Sequence, residues 1–168
     1  VAMRLAAQSK TPSPQRLILS SARIAGSTPK ARREAKRYAD WTSRQPDYKL
    51  YWFVEKLLQF SSRQVDKNIL PRYQSITRIK NLEYYRAVSQ SVAGYNGESD
   101  AQKIACPVLV LQGRDDALFS KNEQTEFKKH IPHICYYPVA DGSHAMVFVQ
   151  GQELSPLIRT FLCTGKCP

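Results

Sequence analysis

The sequence predicts an α/β protein built on a parallel sheet and interrupted by a long helical segment. Three observations carry this. Pro107-Val-Leu-Val-Leu-Gln112 is a near-continuous aliphatic run, the pattern of a strand buried on both faces. A second apolar run, Ile134-Cys-Tyr-Tyr-Pro-Val139, comes after a helix-forming stretch, which is the rhythm of a strand–helix–strand unit. Residues 22–100, by contrast, carry no strand signal.

Taken in order, Val1, Leu5 and the neighbouring alanines sit at helical spacing, with Arg4 and Gln8 polar, and read as the end of a helix. No charged-then-apolar leader is read here, and the start looks like the middle of a longer polypeptide. Residues 9–14 form a polar, proline-bearing turn. Arg16-Leu-Ile-Leu-Ser-Ser21 is long enough for a buried strand. Lys30 to Tyr38 is basic and helix-compatible. Trp41, Leu50, Tyr51, Phe53, Val54, Leu57, Leu58 and Phe60 then form a mixed apolar band suited to an amphipathic helix. Pro71 is expected to interrupt, and a further helix is expected over about 77–92, ended by Ala93-Gly-Tyr-Asn-Gly97.

From Cys106 the strand–helix rhythm returns. Ser120 is the expected N-cap of a helix over 121–130, with Glu123 completing a capping box and Pro132 ending it. Ala140-Asp-Gly-Ser-His144 is a loop. Ser155 and Pro156 are expected to open a last helix through Leu157, Ile158, Phe161 and Leu162. The chain thus divides into 1–21 (a helix and a strand of the core), 22–100 (a helical insertion) and 101–168 (the rest of the core).

Composition bounds the function classes. With 168 residues, 42% hydrophobic and 23% charged, the chain can build a core, which excludes disorder as its main state. No apolar run approaches the roughly 18 residues of a membrane span. Net charge is +11 and uneven: residues 1–100 hold 18 basic and 8 acidic side chains, residues 101–168 hold 7 and 6. Such asymmetry suits a nucleic acid, an anionic lipid or an acidic partner, and equally a solvated helical surface. The run Lys30-Ala-Arg-Arg-Glu-Ala-Lys-Arg37 has no interleaved aromatics and reads first as such a surface. Of four cysteines, Cys106 and Cys135 lie beside or within strand-like runs and read as buried free thiols. Cys163 and Cys167, spaced CxxxC, could close a small disulfide loop or supply half a metal site.

The residues with chemical potential lie on two loops. Gly113-Arg-Asp-Asp116 ends one buried strand and Gly142-Ser-His144 comes after the next. In parallel sheets, ligands bind beyond the carboxyl ends of the strands. Two such loops can bring an acid to an imidazole, fixing its tautomer and stabilising the cation formed when it takes a proton. Asp115 is the rival acid, one residue early. His130 and His133 make an H-x-x-H at a helix end, with no acidic or cysteine ligand adjacent, and read as surface residues. Ser143 precedes His144 but sits on no elbow turn. Trp41, Tyr48, Tyr51, Trp52, Phe53, Tyr84 and Tyr85 could line an apolar pocket or simply pack helices together.

Residues 104–162 resemble the C-terminal end of the α/β-hydrolase fold. Pro107-Val-Leu-Val-Leu-Gln-Gly113 with Arg-Asp-Asp116 is similar to the strand and loop that bear that family's triad acid. Val139-Ala-Asp-Gly-Ser-His144 is similar to the loop bearing its histidine. The resemblance implies Asp116 as acid and His144 as base, residues 1–21 as the helix and strand after the nucleophile elbow, and 22–100 as a helical cap. The sequence contains no G-x-S-x-G, the strained turn that exposes the nucleophile in this family. The elbow is therefore expected shortly before Val1 or on a separate chain.

The resemblance implies both a function and a partner. The chain would supply acid and histidine for hydrolysis of an ester, thioester or similar acyl bond of an apolar small molecule. A complementary N-terminal half would supply the nucleophile, and no metal or organic cofactor would be required. An aspartate in place of the serine would shift the chemistry to epoxide or carbon–halogen hydrolysis. The Arg16–Ser21 strand would otherwise keep an open apolar edge, which invites pairing. The alternative is a non-catalytic scaffold subunit with a hydrolase-like fold in a larger, RNA-containing assembly.

Overall fold

The computed structural model describes residues 2–8, 14–24, 28–61, 65, 67–78, 81–116 and 123–168. Its elements run α1 (Ala2–Gln8), β1 (Leu17–Ser20), α2 (Pro29–Arg44), α3 (Asp47–Ser61), α4 (Leu70–Thr77), α5 (Leu82–Gly94), α6 (Gly97–Ala101), β2 (Val108–Gly113), α7 (Glu123–His130), β3 (Ile134–Val139), α8 (Met146–Val149) and α9 (Gly151–Thr164). The chain divides into two compact units, one of residues 1–24 with 97–168, the other of residues 25–96.

In the first unit, β1, β2 and β3 lie side by side in that order, all parallel. Leu17 faces Val108 in register, and Val108 faces Ile134. All six residues of β2 are buried, which is why its sequence is an unbroken aliphatic run rather than an alternating one. On one face Leu17, Leu19, Val108 and Val110 pack with Met3, Ile104, Phe127 and Ile131. On the other, Leu109, Leu111 and Val139 pack with Met146, Leu154 and Phe161. Each such side chain, fully buried, stabilises the unit by about 1.5–3 kcal/mol. Among the described residues β1 pairs with β2 alone, so its other edge is open.

Helix α9 begins at Gly151, earlier than the Ser155–Pro156 start the sequence predicts. Pro156 lies in its second turn, where it removes one backbone donor, while burial of Leu154 holds the preceding turn against the sheet. Gly165 ends the helix at φ 69°, the left-handed conformation glycine adopts without strain, and its N–H donates to the Phe161 carbonyl at 2.8 Å. The tail then returns to the sheet, where Cys167 is disulfide-bonded to Cys135 of β3, with the Cα atoms 5.3 Å apart. This corrects the cysteine reading twice. Cys135 is no free thiol, and Cys163 does not pair with Cys167; Cys163 and Cys106 are the free ones. Cys163 in the last turn of α9 and Cys167 beyond its end carry no information on which distant strand the tail will meet.

The second unit is helical. Thr28 caps α2, its hydroxyl accepting from the Ala31 N–H at 3.0 Å, and Pro29 occupies the first turn. Ala39 and Thr42 are buried on α2, which packs on α5; the Gln90 side chain donates to the Ala39 carbonyl at 3.1 Å. Arg86 closes the corner between α2 and α3, donating to the carbonyls of Thr42 (3.3 Å) and Gln45 (2.8 Å) and to Asp47 (2.7 Å). Two boundaries differ from the sequence reading. Pro71 opens α4 rather than interrupting it, because its missing N–H costs nothing in a first turn. The expected helix over 77–92 is replaced by the end of α4 and by α5, which starts at Leu82 where Asn81 accepts from the Tyr84 N–H at 3.0 Å. The expected Ser120 cap lies outside the described residues, and α7 is described from Glu123. Among the described residues no helix is long and apolar enough to cross a membrane.

Candidate active site at the strand ends

The loops after β2 and β3 are joined by backbone contact. The N–H of Arg114 donates to the Val139 carbonyl at 3.0 Å, and that of Asp115 to the Gly142 carbonyl at 2.9 Å. Gly113 and Gly142 make this approach possible. A Cβ on Gly113 would lie 2.1 Å from the Gly142 carbonyl oxygen, a separation no side chain tolerates. Asp141, at φ 51°, takes the left-handed turn that swings Gly142 inward. Aspartate is among the few residues that accept this conformation.

These contacts bring Asp116 and His144 together. The His144 Nδ1 lies 3.1 Å from the Asp116 Oδ2. The Asp116 side chain is 0% exposed and that of His144 33%. A carboxylate can only accept, so Nδ1 carries the hydrogen and Nε2 is the basic nitrogen. The arrangement is an imidazole held in one tautomer by a buried acid, with its ring reaching solvent. Asp115, the rival acid, is exposed. Ser143 accepts from the Ala145 N–H at 3.2 Å, a turn-stabilising role.

The sequence reading missed Gln112. It is the one polar side chain in fully buried β2, and its Nε2 donates to the same Asp116 Oδ2 at 2.9 Å. Among the described residues its Oε1 is buried without a hydrogen-bond partner. An orphaned buried acceptor costs about 1–3 kcal/mol. The signal was available: a lone amide in an aliphatic run.

His130 also departs from expectation. It is 3% exposed, not a surface residue. Its ring lies 3.6 Å from Glu126, 3.8 Å from Glu98 and 3.4 Å from the Gln102 amide. Ile131 and Phe127 are buried around it, so α7 turns this end of the helix inward. His133 is exposed, 3.1 Å from the Cys106 carbonyl. Among the described residues no group of three or more His, Cys, Asp or Glu is placed to hold a metal ion. In the helical unit, Tyr38, Trp41 and Phe53 pack together, with the Trp41 and Phe53 rings 4.8 Å apart, whereas Tyr48, Trp52 and Tyr84 are exposed.

No protein-family model matches the sequence, and no curated protein matches it. Solved structures do. The chain is similar to an esterase from Exiguobacterium antarcticum, with a TM-score of 0.76, 10% identity, and coverage of 97% of this chain and 62% of that one. It is similar to an enol-lactonase from Burkholderia xenovorans (TM-score 0.70, 17% identity, 96% and 61%). It is also similar to a thermophilic esterase from Thermogutta terrifontis (TM-score 0.64, 21% identity, 88% and 55%). The chain therefore spans between about half and two thirds of the length of these structures. It has the C-terminal portion of the α/β-hydrolase fold.

Proposed function

We propose that this chain supplies the acid and the base of an α/β-hydrolase that cleaves an ester, thioester or similar acyl bond. One observation carries the reading: the 3.1 Å contact between the His144 Nδ1 and the fully buried Asp116 Oδ2, at the carboxyl ends of parallel strands. A serine outside residues 1–168 attacks the acyl carbon, and the His144 Nε2 takes its proton. The carbonyl π electrons move to oxygen, then return to expel the leaving group, which receives that proton from His144. Water repeats the sequence on the acyl-enzyme. Asp116 holds the ring and stabilises the imidazolium. The scheme uses no metal or organic cofactor. In this reading residues 22–100 are a helical cap. The complementary segment, on the same polypeptide or a separate chain, brings the nucleophile and a strand for the open edge of β1.

The uneven charge, 18 basic against 8 acidic residues in 1–100, favours a second reading, a scaffold subunit in an RNA-containing assembly. Fluorophosphonate labelling of natively purified material, read by mass spectrometry, separates the two. The hydrolase reading expects label on a serine outside residues 1–168, lost in His144→Ala, and a drop of roughly 10⁴-fold in turnover for Asp116→Asn. Absence of label on folded material rejects the serine hydrolase and leaves the scaffold or an aspartate nucleophile.

A further inference from the structure

We propose that Gln112 is a positioning residue for the Asp116–His144 pair; this rests on the reading that the pair works as acid and base. The Asp116 Oδ2 receives two donors, the Gln112 Nε2 at 2.9 Å and the His144 Nδ1 at 3.1 Å. The amide can point only one way. Turned over, it would set Oε1 against a carboxylate oxygen, two acceptors in contact. In the orientation that fits, Oε1 is the atom left buried without a partner among the described residues. A leucine or methionine at this place in β2 would leave no orphan. The strand instead carries an amide whose one satisfied group is aimed at Asp116.

The geometry gives this a purpose. Gln112 and Asp116 lie on either side of the turn that starts at Gly113, so the amide ties the acid to the end of a rigid, fully buried strand. His144 comes from the other loop and is part-exposed. Without the amide, the Asp116 carboxylate would turn more readily about its side-chain bonds. Oδ2 would then no longer be held where the Nδ1 hydrogen meets it. Gln112 thus holds the imidazole tautomer through Asp116, and its loss should reach turnover more than substrate binding.

The test uses Gln112→Met in the longest native polypeptide containing this chain, with its partner if it has one. Two readouts are taken: hydrolysis of p-nitrophenyl acetate, and ¹⁵N NMR of the histidine rings. The variant is expected to melt close to the parent, because it loses the orphan acceptor and one donor to the buried Asp116 carboxylate together. It should lose turnover by about 100-fold, as for a misplacement of about 1 Å, with KM changed less than about twofold. The His144 ring should pass from the Nδ1–H tautomer to a mixture. Gln112→Glu provides the control that keeps the shape of the side chain. Its carboxylate opposes Asp116 when ionised and donates to it when protonated, so turnover relative to the parent at the same pH should rise as pH is lowered. Unchanged tautomer and turnover in Gln112→Met overturn the proposal, as does equal loss of stability and activity together with no recovery in Gln112→Glu. If the parent itself hydrolyses nothing, the hydrolase reading fails on that arm, and the tautomer measurement still decides the role of Gln112.

Discussion

Reducing the Cys135–Cys167 bond should weaken the protein by an amount the loop length sets. The bond closes a segment spanning 32 positions that contains the end of β3, the His144 loop, α8 and α9. Loop-closure entropy for a segment of this length is about 12 cal/mol/K, or about 3.7 kcal/mol at 25 °C. The effect acts through the unfolded chain, since folded α9 is also held by burial of Leu154 and Phe161. With a urea slope of about 2 kcal/mol/M, the midpoint should fall by about 2 M. The melting temperature should fall by about 7–15 °C.

The assay is equilibrium urea unfolding of the parent, Cys167→Ser and Cys163→Ser, each with and without reductant. The parent and Cys163→Ser should lose the full increment on reduction. Cys167→Ser should start at the reduced value and ignore reductant. A midpoint change below about 0.5 M would refute the entropic reasoning. Reductant sensitivity that survives in Cys167→Ser but disappears in Cys163→Ser would place the bridge on the wrong cysteine.

Two further outcomes are expected. Gly113→Ala should part the two loops by roughly 1 Å, because its Cβ would stand 2.1 Å from the Gly142 carbonyl oxygen. Turnover should fall about 100-fold, while Gly94→Ala, with nothing within 4 Å, should leave it unchanged; equal activity of the two variants would count against the loop contact. Burial, and then the hydrogen bond and charge interaction with Tyr85, push the Tyr38 hydroxyl well above the ordinary tyrosine value of 10.0. A raised value in the folded state means stability that is complete below pH 10 and declines as pH rises beyond it. Tyr38→Phe should remove that alkaline decline, measured by denaturant midpoints across about pH 9 to 11.5, and an identical decline in the variant would reject this cause.

The parallel core was readable because its physics is local in sequence. A strand buried on both faces must be aliphatic throughout, and β2 is. The resemblance placed Asp116 and His144 on adjoining loops, and Gly113 and Gly142 are the small residues that let those loops touch. Other features depend on distant partners and left no local trace. Cys167 meets Cys135 across 32 positions. His130 is buried because α7 packs its last turn inward, beside Glu98 from another helix. Helix boundaries in the inserted unit are ambiguous for a different reason. Proline opens helices as readily as it stops them, so Pro71 alone does not say which, and the cap at Asn81 interrupts a stretch that otherwise reads as continuous helix.

The choice between enzyme and scaffold turns on where the unfavourable features lie. A scaffold needs only the two apolar clusters on the faces of the sheet. Neither cluster needs Gln112 with an orphaned oxygen, Asp141 in a left-handed conformation, or a glycine pair in contact across two loops. All three lie around one acid and one imidazole, while Ser21 at φ 44° and, among the described residues, buried unpaired atoms of Arg16, Glu126 and His130 lie on other residues. Strain and unpaired polar atoms gather where a site must be held in a geometry that packing alone would not choose. The pair is also assembled wholly within the first unit, through the hydrogen bonds of Arg114 and Asp115 to the β3 loop. The tautomer of His144 can therefore be read before any nucleophile is found. A ring fixed as Nδ1–H in this chain would bear out the acid–imidazole geometry, and fluorophosphonate labelling then separates the enzyme from the scaffold.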